Sequence, residues 1–114
     1  MAQMQFLALA KTLMPTFVLA HLTHHLATGL LVPLTPFLRD EFALSSSQLG
    51  LLGAAFTLSY GISQLPMGWL ADKISKRLLI SLGLVGVAIP TFLVGLTQDH
   101  IIILALLIVT GLLG

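Results

Sequence analysis

Charged side chains occur at only four places along this chain: Lys11, Arg39 to Glu41, Asp72 to Arg77, and Asp99. The intervals between them, residues 12–38, 42–71 and 78–98, are each about 20 residues or longer. That is enough for an α-helix rising about 1.5 Å per residue to cross a hydrocarbon core of about 30 Å. Lipid offers the main chain no hydrogen bonds, so such a stretch has to satisfy its own N–H and C=O groups, and a lone segment does this as a helix. Charged residues make up 8% of the chain and apolar residues 57%, whereas a soluble domain uses about a quarter charged residues to stay in water. The net charge of +1 supplies no field for nucleic acid, which is excluded as a partner. The lack of cysteine excludes disulfides and thiolate metal sites.

An apolar start can also be a secretory signal, with an early basic region, a short apolar core and a small-residue cleavage site. Here the only early cation, Lys11, precedes a long apolar run to Leu38, which marks a retained anchor. The first span is expected over 12–38, after an N-terminal segment 1–11. Pro15 sits near its first turn, and Pro33 and Pro36 bend its far end. After a loop over 39–48, the second span is expected over 49–70. Ser45 and Gln48 have capping-box spacing there, and Leu44 and Leu49 have hydrophobic-staple spacing. A third span follows over 78–97, with a kink available at Pro90. After a short loop over 98–100, the apolar stretch 101–114 gives 14 residues, about 21 Å, too little to cross the core. The expectation is a chain cut short within a fourth span.

Lys11, Lys73, Lys76 and Arg77 flank one side of these spans and Arg39 alone the other. The basic side is expected to be cytoplasmic. That puts the N-terminus and the 71–77 loop inside, and 39–48 and 98–100 outside.

Within the first span, His21, His24, His25, Thr28 and Thr35 fall in one arc of about 100°. Such a stripe has to face other helices or a water-filled cavity, and its histidines lie near mid-membrane. In the second span Gly50, Gly53, Thr57, Tyr60, Gly61, Gln64 and Gly68 share a similar arc. Gly50, Gly53 and Gly61 are expected to let helices approach closely. Tyr60 and Gln64 are the candidates for lining a transport path.

The loop Gly68-Trp-Leu-Ala-Asp72-Lys73-Ile-Ser75-Lys76-Arg77 resembles the signature of the major facilitator superfamily (MFS). That signature is a glycine, three residues, an aspartate, a basic residue, any residue, a glycine and two basic residues, between the second and third spans. Gly68, Asp72, Lys73, Lys76 and Arg77 match; Ser75 stands where the family has glycine, which questions a turn with positive φ there. The stretches Leu44-Ser45-Ser-Ser-Gln48-Leu-Gly50 and Gln64-Leu-Pro66-Met-Gly68 are also similar to this family, and the resemblance covers essentially the whole chain.

The resemblance implies an all-α polytopic membrane protein, with the first three transmembrane helices and the start of the fourth of an MFS-type fold of about 12 helices built from three-helix units. It implies a secondary active transporter of a small solute, using alternating access and coupled to protons, in the inner (plasma) membrane of a prokaryotic cell. It also implies a cytoplasmic gate at the signature loop, with Asp72 set against the N-terminal end of a helix in the other half of the protein. The partners are then the lipid bilayer, an unidentified solute and the remaining transporter helices. The family also places an arginine four residues before a glycine in the fourth span; for Gly111, that position is Leu107.

Other readings bear on the same residues. His21-Leu-Thr-His24-His25 has the spacing of one histidine box of membrane di-iron desaturases. Those enzymes need several boxes, and only His100 lies outside the cluster, so no metal, no cofactor and no enzymatic activity are expected. A small multidrug exporter would need a carboxylate in its first span, and residues 12–38 contain none. A membrane subunit without transport activity is a further alternative. His21, His24, His25 and Thr28 are the candidates for the path or for carrying protons, because imidazole titrates near neutral pH.

Overall fold

The computed structural model describes residues 2–114. It is all-α among the described residues: α1 (Ala2–Gly29), α2 (Leu31–Phe42), α3 (Ser46–Ala71), α4 (Lys76–Val94) and α5 (His100–Leu113). The molecule extends 63 × 25 × 20 Å, its long dimension following the rod made by α1 and α2. Leu7–Phe42 and Lys76–Val94 are long and apolar enough to cross a membrane. At 26 residues α3 has the length as well, but its Ser, Gln, Tyr and Gly residues dilute its hydropathy.

The rod has one interruption, at Leu30. Pro33 has no N–H to give to the Gly29 carbonyl, so the hydrogen-bond ladder loses a rung there. Leu30 nevertheless keeps right-handed dihedrals, φ −62° and ψ −27°, and the Leu34 N–H reaches its carbonyl at 3.3 Å. The helix therefore continues in a new segment and does not stop. The helical rod covers more than the 12–38 stretch of the expected span, since residues 2–11 contain no glycine or proline to end it. Pro15 is accordingly inside α1 and not in its first turn.

The α2–α3 connection is short and tightly specified. Ala43 adopts the left-handed conformation, φ 49° and ψ 41°, and its N–H returns to the Arg39 carbonyl, which also accepts from the Leu44 N–H at 3.0 Å. Ser45 then caps α3 as the sequence anticipates. The Gln48 N–H donates to Ser45 Oγ at 3.3 Å, and the Ser45 N–H donates to Gln48 Oε1 at 2.9 Å. Leu44 is buried, with Leu49 packed against the same cluster, completing the staple. Asp99 caps α5, its Oδ1 accepting from the Ile101 N–H at 2.8 Å, with the carboxylate at the favourable end of the helix dipole.

α5 lies between α3 and α4. Ile103 and Leu107, at 1% and 7% exposure, join Leu44 and Leu52 in the apolar core, with Leu31, Leu38, Phe42, Phe56 and Val94 around them. Further along, the α3–α5 crossing becomes so close that a Cβ on Gly111 would stand 2.5 Å from the Phe56 carbonyl oxygen and 2.9 Å from Ser59 Cβ. Ser63 Oγ donates to the Tyr60 carbonyl at 2.8 Å and reaches the Gly111 carbonyl at 3.3 Å.

The glycines expected to mediate packing do not do so among these helices. Gly50, Gly53 and Gly61 have nothing within 4 Å of where a Cβ would stand. The reason is angular: at 100° per residue they lie on the far side of α3 from its buried residues Leu52, Ser59 and Ser63. Replacement by alanine separates the two classes. Gly111→Ala should lower stability by about 1 to 3 kcal/mol through overpacking. In these 114 residues by themselves, Gly53→Ala should raise it by about 0.5 to 1 kcal/mol through helix propensity. Thermal unfolding of both variants in detergent, followed by circular dichroism, checks this; equal shifts would refute the assigned contact.

Candidate functional site

Two features carry functional side chains: a cavity among α1, α3, α4 and α5, and the connection between α3 and α4. The cavity has a volume of about 710 Å³. Val109, Leu113 and Gly114 are the α5 side of its lining. Its walls are mostly apolar, including Phe17, Met67, Ile80 and Ile89, and its polar side chains are His21 and His24 from α1 with Tyr60 and Gln64 from α3. No Asp, Glu, Lys or Arg lines it.

Four of the six residues singled out from the sequence thus meet in one space, although they come from two helices about 40 positions apart. His24 is half-buried on the face of α1 that packs inward, whereas His21 is more exposed. His25 and Thr28 are not on the cavity wall. Thr28 donates its hydroxyl to the His24 carbonyl at 2.9 Å, meeting its hydrogen-bonding need within its own helix. His25 is turned toward His21, with Nε2 atoms 3.1 Å apart and rings 4.4 Å apart at 81°. Phe17 stacks on the other side of His21, at 5.8 Å and 14°. Among the described residues no group of three or more His, Cys, Asp or Glu is placed to hold a metal ion.

The α3 polar groups are met locally. Thr57 Oγ1 donates to the Gly53 carbonyl at 3.0 Å, and Gln64 Nε2 reaches the Tyr60 carbonyl at 3.4 Å. Among the described residues no buried side-chain nitrogen or oxygen lacks a partner. Sequence reasoning missed Ser59 and Ser63, and named Gly111 without its packing role; the three make the α3–α5 crossing. Ser59 and Ser63 are small residues one helical turn apart, and that spacing was the available signal.

In the α3–α4 connection, Gly68 lies inside α3 with open space around it. Asp72 is the C-terminal cap, its N–H donating to the Leu70 carbonyl. The Lys73 and Ile74 N–H groups turn back to that same carbonyl at 2.9 and 3.0 Å. Lys73 Nζ sits 4.8 Å above the Trp69 ring, a contact worth about 0.5 to 1 kcal/mol at an exposed site. Asp72, Lys76 and Arg77 are exposed.

Ser75 answers the question raised by the missing glycine. It has φ −63° and ψ 135°, ordinary extended dihedrals, and its Oγ accepts from the Leu78 N–H at 3.3 Å. The position needs an N-cap for α4 and not a left-handed turn. Leu107, where the family signature would put arginine, is buried in the apolar core.

These features define a helical, polytopic, integral membrane protein, and the chain belongs to the Major Facilitator Superfamily, whose family model matches residues 17–114. It is 34% identical over 94 residues to the phosphoglycerate transporter protein of Salmonella typhimurium, covering 82% of this chain and 20% of that protein. It is 33% identical over 87 residues to the quinolone resistance protein NorA of Staphylococcus aureus, covering 76% of this chain and 22% of that protein. The chain therefore spans about a fifth of the length of these relatives. No solved structure matches it. The relationship is to transporters and not to enzymes.

The capping role of Ser75 is directly testable. Ser75→Ala should destabilise α4 by about 1 kcal/mol, while Ser75→Gly should cost only a few tenths. Thermal unfolding in detergent distinguishes them; an alanine variant as stable as the parent would remove the cap from the account.

Proposed function

We propose that this chain supplies the opening helices of a secondary active transporter that moves a small solute by alternating access, coupled to protons. The supporting observation is the convergence of His21, His24, Tyr60 and Gln64 on one cavity. A wall of this kind offers hydrogen bonds and a titratable imidazole in otherwise apolar surroundings, which suits proton transfer beside a bound solute. The relatives' names differ, phosphoglycerate transport for one and quinolone resistance for the other. This part of the wall carries no Lys or Arg, so a clamp for an anionic solute would have to come from the remaining helices.

The signature loop is the proposed cytoplasmic gate. Asp72 lies at the C-terminal end of α3, where the helix dipole disfavours a carboxylate by about 0.3 to 1 kcal/mol. Its own helix gives it no electrostatic advantage there, so its gain has to come from elsewhere. The N-terminal end of a helix in the remaining half would provide it. Gly50, Gly53, Gly61 and Gly68, open in this chain, are proposed as a face on which those further helices pack.

Two experiments test the proposal. In liposomes carrying the intact transporter, His21→Gln and His24→Gln should each lower transport driven by a pH gradient about tenfold or more, as for loss of a hydrogen bond to a charged group worth about 1.5 to 3 kcal/mol. Counterflow without a gradient should be affected less, and unchanged gradient dependence in both variants would end the proton-coupling role. Topology is accessible because the chain has no cysteine. Glu41→Cys should react with a membrane-impermeant maleimide from outside the cell and Lys76→Cys only from inside; the reverse pattern would invert the proposed orientation.

A further inference from the structure

His21 and His25 lie one helical turn apart on α1, with their Nε2 atoms 3.1 Å apart. At that separation one ring holds its proton on Nε2 and donates it to the lone pair of the other. Whichever ring donates, the Nε2 of His21 is occupied by its neighbour. Nδ1 is then the one nitrogen of His21 left to exchange a proton with the cavity that this side chain lines. His25 is not on that wall and bears on it through His21. We infer that His25 is a positioning residue for proton carriage: its Nε2 accepts the Nε2–H of His21 and so leaves the His21 Nδ1 lone pair free as the proton-accepting atom. This rests on the proton-coupled reading given above.

Loading forms one N–H bond, at His21 Nδ1, and breaks none within the pair, which passes from neutral to a single positive charge. The Nε2–H that was already shared then has an ionised donor, and such bonds are roughly twice as strong as neutral ones. Release breaks the same Nδ1–H bond, so each cycle carries one proton and leaves both rings as they began. With the opposite tautomers, His25 donating and His21 accepting, Nδ1 of His21 would already hold a proton and could take no other.

The surroundings fit this role. Phe17 stacks on His21 at 5.8 Å and 14°, presenting an aromatic face to the cation. The His24 ring meets His25 edge-on at 5.4 Å and 76°, bracing the acceptor from its far side. The other polar side chains on the cavity wall are His24 of the same helix and Tyr60 and Gln64 of α3, while α4 and α5 contribute apolar residues alone. A carboxylate or a carbonyl commonly orients a functional histidine. Residues 12–38 contain no carboxylate, and a second imidazole one turn away takes that place.

Nitrogen-15 NMR of the intact transporter, labelled at histidine and held in detergent at alkaline pH, reads the tautomer directly. The His21 signals, assigned by their loss in His21→Gln, should place the proton on Nε2; a proton on Nδ1 would overturn the inference. In liposomes, His25→Phe keeps a ring but offers no acceptor. It should lower transport driven by a pH gradient about tenfold, as for loss of a hydrogen bond to a charged group, with counterflow falling less than about threefold. His25→Gln, whose Oε1 accepts the same Nε2–H, should bring gradient-driven transport back to within about threefold of the parent. Full gradient-driven transport in His25→Phe, alongside its loss in His21→Gln, would remove the role of His25 and leave coupling through His21 in place. Gradient dependence unchanged in His21→Gln would remove the coupling reading and this inference with it.

Discussion

The contact on which the arrangement depends is the passage of Gly111 against the main chain of α3. A hydrogen in place of a methyl group at one position lets α5 approach until the Phe56 carbonyl stands where a side chain would begin. Lipid tails are as apolar as leucine, so helices in a bilayer gain little by hiding apolar surface from one another and associate through close van der Waals contact. From this crossing follow the burial of Ile103 and Leu107, the hydrogen bond of Ser63 to the Gly111 carbonyl and the position of α4 on the other side of α5. The same crossing sets Tyr60 beside the cavity and not within the packed layer.

The start of α3 was the most legible part of the sequence. Ser45 and Gln48 announced the start of α3, and Leu44 and Leu49 its staple, because capping needs only residues three to five positions apart and owes little to the rest of the fold. The stripe containing His21 and His24 was legible for a similar reason: 3.6 residues per turn fixes which positions share a face. What the pattern could not say is where that face points. His24 lines the cavity, whereas His25 turns to His21 on its own helix.

The glycines illustrate the same boundary. Gly50, Gly53 and Gly61 form a clear periodic face, but periodicity identifies a face without naming its partner, and in this chain the packed face is the opposite one, bearing Ser59 and Ser63. Gly111 was named from a family spacing, but its packing role shows only in the helix lying across it. Ser75 was hard to read for another reason. A family signature with glycine pointed to a special backbone conformation, and only the structure shows a hydroxyl that caps the helix that follows.

The connection between α2 and α3 shows how firmly a short turn can be set. The Arg39 carbonyl accepts from the N–H groups of both Ala43 and Leu44, and the Ser45–Gln48 pair closes the start of the next helix. None of these groups changes its charge between mildly acidic and mildly alkaline solution. The angle at which the chain turns back is therefore held by main-chain and neutral side-chain bonds, and neither salt nor pH has a handle on it.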